Sequence, residues 1–361
     1  MDAQVLTLVQ EITDQLLRQS LSLRYDICTC PECKDSMLKL AINGLLGLNL
    51  PLADTTPEKV KETYARDINR LVIHAIDRVS DRPPHPVHED KKKEFKRLMQ
   101  RIYAERGLDL RNYHTELLKR RIALRLQKND VPSYAEYIKF LGRKPQEYDK
   151  LFETLCINVS EFLRDPPVWV TIQYLFENLI RIKQQTGDPR IHVWSAGCAC
   201  GEEPYSIALM LKEALRSVQA SLSVQITATD IDKACLLAAK KAVYAKDSVK
   251  NIDTKLLARY FELTEGKFAV KEELKRMVNV DYVDLTSGNF PKDTDLIVCR
   301  NVFIYFNRDL QRQLLVKFHS SLKVGGYLIM GKSESLWIEP GFFENIDSNA
   351  RIFRKLSTHE R

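Results

Sequence analysis

Val193-Trp194-Ser195-Ala196-Gly197-Cys198-Ala199-Cys200-Gly201-Glu202-Glu203-Pro204-Tyr205-Ser206 is the stretch on which the reading of this chain turns. A short strand through the β-branched Ile191 and Val193 enters a turn of small residues, and a helix is expected to start at Glu202-Glu203-Pro204. Small side chains let backbone amides approach a ligand, and the new helix turns its positive end toward that turn. Pro204 suits a first helical position, where its missing N–H costs nothing. Ile207, Ala208, Leu211, Ala214 and Leu215 then give the helix one apolar face. The unit reads as a nucleotide or nucleoside site. No Gly-Lys-Ser/Thr follows, so it is not a phosphate P-loop. The two glutamates point instead to a cationic or sugar-bearing ligand.

Downstream, short apolar strands alternate with helices. Val224 to Thr229 leads to Asp230, Leu296 to Cys299 leads to Arg300-Asn301, and Gly326 to Met330 follows the turn Val324-Gly325-Gly326. A helix is expected from Leu310 to Leu322. This alternation predicts the α/β class, a mostly parallel doubly wound sheet covered on both faces. Ligands of such sheets sit outside the carboxyl ends of the strands, which here offer the Gly197 turn, Asp230, Asp284-Leu285 and Arg300-Asn301. An acid thirty residues after the first turn suits ribose hydroxyls but also describes NAD-binding enzymes, so spacing does not choose the cofactor. A charged insertion with a presumed hairpin, Phe261 to Val270, interrupts the alternation at about 244–280.

Upstream, the chain is helical. Apolar residues at helical spacing run through Val5 to Leu17, Met37 to Ile42 and Tyr64 to Ile76. The proline-rich stretch 81–92 is the best linker, and residues 93–165 form a basic helical segment before a catalytic region at 166–361. In that segment Lys119, Arg120, Arg121 and Arg125 alternate with Leu117, Leu118, Ile122, Leu124 and Leu126, which reads either as a solvated cationic face or as a docking surface. The 361 residues allow two or three cores, and 44% apolar with 29% charged residues is ordinary for a soluble globular protein. No apolar run would span a bilayer, and the start lacks a signal-peptide pattern, so the expectation is a cytoplasmic protein without membrane insertion. The net charge of +7 fits an acidic partner, while no arm, finger or aromatic signature supports nucleic-acid binding.

Five ordered motifs carry a family resemblance over residues 92–355. They are Asn158-Val159-Ser160-Glu161-Phe162-Leu163-Arg164-Asp165, the opening stretch, Asp230-Ile231-Asp232, Cys299-Arg300-Asn301-Val302-Phe303-Ile304-Tyr305-Phe306 and Gly331-Lys332-Ser333-Glu334-Ser335. Together they resemble the CheR family, S-adenosylmethionine-dependent methyltransferases that esterify glutamates of bacterial chemoreceptors. The resemblance implies that Ser160 and Arg164 contact the cofactor from the helical side, with Gly197, Glu202 and Glu203 around its methionine part. It assigns Asp230 to the ribose, Asp284 and Leu285 to the adenine, and Arg164, Asn301 and Tyr305 to methyl transfer. It also implies that Arg121 and Arg125 dock the acidic methylation helix and that the insertion is the family's small β-subdomain. Its hairpin is short, which favours recognition independent of a receptor pentapeptide. The family usually has Ser or Thr at Cys200, so one cofactor hydrogen bond, of a kind worth about 0.5–1.5 kcal/mol, is expected to be weakened. The reading that competes with an active enzyme is a weakly catalytic, cofactor-binding regulator.

Residues 1–80 lie outside that resemblance. Cys28-Thr29-Cys30-Pro31-Glu32-Cys33, Asp35 and Leu40-Ala41-Ile42-Asn43-Gly44-Leu45 resemble the ComFB family, small helical modules associated with dimerisation and cyclic dinucleotides. The resemblance implies a regulatory domain that responds to cyclic di-GMP or cyclic di-AMP and forms a homodimer. Three close cysteines suit Zn²⁺, with His74, an acid, water or a second chain as fourth ligand; three buried apolar thiols are the alternative. Arg24, Lys34, Lys39 and Arg66 are the cations available to phosphates.

Overall fold

The computed structural model describes residues 3–21, 27, 31–46, 57–81, 88–156, 160–334 and 341–356. By its internal contacts the chain forms two units, residues 1–111 with 115–155, and residues 112–114 with 156–361. The first is helical. Its α1 (Ala3–Leu21), α2 (Pro31–Leu46) and α3 (Pro57–Asp81) close around Ile12, Leu17, Met37, Ala41, Ile68, Val72 and Ile76, the residues that helical spacing picks out. There follow α4 (His88–Arg106), α5 (Thr115–Lys128), α6 (Tyr134–Arg143) and α7 (Glu147–Leu155). Ser133 caps α6 by accepting from the Glu136 amide at 3.2 Å. Lys91 Nζ donates to the Ile27 carbonyl at 2.7 Å, tying α4 to the first three helices.

The second unit holds α8 (Pro166–Thr186), β1 (Arg190–Ala196), α9 (Glu202–Ser217), β2 (Ser223–Asp230) and α10 (Lys233–Lys241). The insertion follows as β3 (Val243–Tyr244), α11 (Thr254–Tyr260), β4 (Phe261–Thr264), β5 (Lys267–Val270) and α12 (Glu272–Lys275). The chain then returns through β6 (Val278–Tyr282), β7 (Thr294–Cys299), α13 (Arg308–Ser321), β8 (Leu322–Met330), β9 (Phe343–Asp347) and β10 (Ile352–Lys355). The main sheet runs β6-β2-β1-β7-β8-β10-β9, parallel from β6 to β8 and antiparallel thereafter. Every residue of β7 is buried, as a central strand covered on both faces requires. Alternate strand residues divide between two cores. Ile191, Val193, Leu296, Val298 and Ile329 pack with α8 and α9, whereas Trp194, Ala196, Ile297, Leu328 and Met330 pack with α13. The insertion is a separate sheet of order β3-β5-β4, whose β4–β5 hairpin is the expected one.

The division between units falls at Leu155/Cys156, ten residues before the expected end of the basic helical segment. The physical reason is the stretch 160–165, whose hydrogen bonds go to Ser206, Ser248 and Arg300 of the second unit. The three N-terminal helices also cluster with α4 to α7 in one unit. Among the described residues no helix is long and apolar enough to cross a membrane.

Candidate active site

The direction of winding reverses at β1, which has β2 on one side and β7 on the other. The chain builds outward through β2 to β6, then crosses back to β7 and β8. The carboxyl ends of β1 and β7 therefore frame the crevice where such sheets bind ligands. At that edge the structure places Gly197 after β1, Asp230 ending β2, Asp284 after β6, Arg300-Asn301 after β7 and Gly331 to Glu334 after β8.

The first turn is built by glycine geometry. Gly197 has φ +82°, and a Cβ there would lie 2.4 Å from Val302 Cγ2; Gly201, at the N-cap of α9, has φ +101°, and a Cβ there would lie 2.6 Å from Tyr244 Oη and 2.9 Å from Ala239 Cβ. Side chains are excluded at both positions by backbone angle and by space. The Gly197 and Cys198 amides donate to the Thr229 carbonyl at 2.8 and 2.9 Å. Asp230 accepts from the Ala199 amide at 2.8 Å and the Asp232 amide at 2.9 Å, so the ribose candidate is locked to the first turn. Burial raises the Asp230 carboxyl, against the lowering effect of those amides. Asp284 accepts from Thr286 and Ser287, while Leu285 is buried in the core beside α13, so its side chain packs.

Two acids open α9. Glu202 is buried and shares a hydrogen bond with Ser160; burial raises its carboxyl, and its Oε2 has no protein partner. Glu203 accepts from Ser195 Oγ at 2.7 Å, and burial pushes it up to about 7, against the lowering pull of Arg300 and Ser195. The Arg164 charge also acts on Glu203, which brings the 160–165 stretch and the start of α9 into one electrostatic neighbourhood. Arg164 itself is half-buried between Leu163 (φ +50°) and Asp165 (φ +59°), two left-handed non-glycine residues that cost roughly 1–2 kcal/mol each.

Asn301 is also left-handed, φ +61°, and its buried Oδ1 lacks a protein partner. Tyr305 lies partly buried in the short 3₁₀ turn after it, and its carbonyl accepts from the His114 amide at 2.9 Å. Two residues that carried no assigned role prove central. The buried carboxylate of Glu334 accepts from the Phe303 amide at 2.8 Å and the Gly331 amide at 2.5 Å; burial raises it, while the Gly331, Asn301, Phe303 and Val302 amides lower it. Buried Arg300 donates to Asp165 Oδ2 at 2.7 Å and stacks over Trp169 at 5.9 Å. The signal for both was present, since each is a charged residue at the end of an apolar strand.

Two expectations are corrected. Arg125 is no docking residue: it is 6% exposed and bidentate to the buried Glu147 at 2.8 Å, an acid that Tyr137 and Asn129 also satisfy. Arg121 is half-buried and Arg120 exposed on the same helix. Cys200 is not simply a lost hydroxyl, because it is disulfide-bonded to Cys235 of α10 with Cα atoms 4.3 Å apart. Its neighbour Cys198 is buried, which raises its thiol well above the ordinary value. Of the proposed zinc ligands, Cys33 is buried, whereas Cys28 and Cys30, like Arg24, lie outside the described residues. Among the described residues no group of three or more His, Cys, Asp or Glu is arranged to hold a metal.

A sheet wound both ways from β1, with a glycine turn and acids at its carboxyl edge, defines an α/β protein that binds a nucleoside-bearing cofactor. Residues 158–352 match the CheR methyltransferase, SAM binding domain, and residues 93–156 the CheR methyltransferase, all-alpha domain. The chemotaxis protein methyltransferase of Borreliella burgdorferi is 34% identical over 68% of this chain and 89% of its own length. The putative methyltransferase Cher3 of Pseudomonas putida is 32% identical over 73% and 96%, and the chemotaxis protein methyltransferase of Escherichia coli 30% over 67% and 84%. This chain belongs to the CheR family of S-adenosylmethionine-dependent chemotaxis methyltransferases. The residues present fit that cofactor, with Glu202 Oε2 and Asn301 Oδ1 buried and unsatisfied at the crevice and Gly197 clearing its floor.

Proposed function

We propose that this protein methylates glutamate side chains on the cytoplasmic helices of chemoreceptors, forming methyl esters. The observation that carries the reading is the gathering of Arg164, Glu203, Arg300 and Asn301 at the switch point of a CheR-family domain. The cofactor supplies a methyl group activated by its sulfonium. A substrate glutamate, with a pKa of about 4.3, is already ionised at neutral pH and needs no base. Transfer breaks the S–CH₃ bond, forms the ester O–CH₃ bond and moves no proton. Positioning and desolvation of the carboxylate are what remain for the protein. In this reading Arg164 and Tyr305 orient the carboxylate oxygen, while Asn301, Gly197, Glu202, Asp230 and Asp284 hold the cofactor. Ser160 contributes through its bond to Glu202. Arg164 orients rather than neutralises, since a tight ion pair would hold the nucleophile back.

On the first unit, Arg121 and Arg120 draw in an acidic helix by charge, an attraction that weakens with salt. The four-residue strands of the β4–β5 hairpin support recognition without a pentapeptide tether. Residues 1–80, which neither family domain covers, take the regulatory role. Their ComFB-like motif offers Cys28, Cys30 and Cys33 to zinc, a cyclic dinucleotide as signal and a homodimer contact.

The test is transfer of labelled methyl groups from S-adenosylmethionine to receptor cytoplasmic fragments, with calorimetry of S-adenosylhomocysteine in the presence and absence of cyclic di-GMP or cyclic di-AMP. Base-labile label on the receptor, and product affinity altered by a dinucleotide, are the expected results. Product binding without receptor labelling would support the regulator reading. Affinity blind to both dinucleotides would remove their role from the N-terminal helices.

A further inference from the structure

The stretch that presents Arg164 is strained on both sides of that residue, with Leu163 and Asp165 at φ +50° and +59°. Such a backbone persists only where its surroundings over-determine it. Part of the hold comes from the main sheet's helices, through the Leu163 amide to Ser206 Oγ at 3.0 Å and Trp169 Nε1 to the Arg164 carbonyl at 2.9 Å. Arg300, after β7, holds Asp165 Oδ2 at 2.7 Å, and a further part comes from the inserted small-sheet module. Both backbone groups of Phe162 are spent there: its amide donates to the Ser248 carbonyl at 2.9 Å, and its carbonyl accepts from Asn251 Nδ2 at 3.2 Å. The Phe162 ring is fully buried, edge-on to Tyr244 of β3 at 4.8 Å and to Phe261 of β4 at 5.3 Å. Lys250 adds an exposed ion pair to Glu161 at 2.7 Å.

We propose that the small-sheet module is a positioning device for Arg164 and that Asn251 is the positioning residue through which it fixes the Phe162 carbonyl, two residues before the arginine. The inference rests on the role given to Arg164 above. Loss of the Asn251 donor leaves the buried ring in place but frees the carbonyl, so the arginine swings while the fold survives. A donor that reaches the same carbonyl should restore the function.

The experiment uses the full chain with Asn251→Ala, Asn251→Gln and Arg164→Ala, alone and combined. Hydrogen exchange of residues 160–165 is expected to quicken about tenfold in Asn251→Ala, with residues 197–201 and the melting temperature little changed. Receptor methylation should lose about fivefold to twentyfold in kcat with KM for the receptor within about twofold, and Asn251→Gln should recover part of it. In the Arg164→Ala background, Asn251→Ala should add no further loss. Unchanged exchange in Asn251→Ala, or an equal loss with and without Arg164, would overturn the proposal. Wild-type protein that fails to label receptor overturns the glutamate reading instead, and the exchange result still decides whether Asn251 holds the loop.

Discussion

Burial raises the Glu203 carboxyl from 4.5 to about 7. A carboxyl raised on folding lends stability below its ordinary pKa, and that contribution is lost as pH climbs through 7. Between pH 5 and pH 8 the unliganded protein should lose on the order of 3 kcal/mol that Glu203→Gln retains, measured by denaturant unfolding of both proteins. Asp230, Glu202 and Glu334 are raised by burial as well and act in the same direction. The cationic sulfonium of S-adenosylmethionine beside Glu203 should drive the proton off, so binding of S-adenosylmethionine near pH 7 should release protons. Calorimetry in buffers of different ionisation heat would detect that release, and Glu203→Gln should remove most of it. At this scale the sequence identified the acids by their spacing but not their state. Glu203 becomes unusual because folding buries it, which outweighs the lowering pull of Arg300 and Ser195.

Among elements, the turn from β1 to α9 tolerates little change. Gly201→Ala would put a Cβ 2.6 Å from Tyr244 Oη and 2.9 Å from Ala239 Cβ at a backbone angle that disfavours it. An expected cost of about 2–4 kcal/mol should appear in unfolding curves, with at least a tenfold weaker affinity for S-adenosylhomocysteine. The turn, β1, β2, β7, β8 and the small hairpin were legible because apolar β-branched runs and glycines are local signals. The closing pair β9 and β10 was not, since Phe343–Asp347 and Ile352–Lys355 are short and mix charge with apolar residues. Arg125 was misread for a related reason. A basic stripe looks solvated in sequence, and the acid that buries it lies 22 residues away. The left-handed residues beside Arg164 leave no trace in residue type at all, since their conformation is imposed by Ser206, Asn251 and Arg300.

For the whole molecule, the two family domains begin at residue 93, and relatives align with 67% to 73% of this chain over 84% to 96% of their own length. A chain of residues 88–361 should therefore fold and bind S-adenosylhomocysteine within about twofold of the full protein, while losing any response to a dinucleotide. Failure of that chain to bind would mean that α1 to α3 complete the enzyme. The hold of Lys91 on the Ile27 carbonyl is one contact that such a truncation removes.

The borders of the seven-stranded sheet carry a further consequence. One side ends in β6, whose residues include Asp281, and the other in β9, which presents Glu344 and Asp347. A second copy that added the same strand in parallel, in-register pairing at either border would set acid against acid along the new ladder. Such alignment is destabilising. In that register the sheet resists growing into a continuous ribbon between molecules.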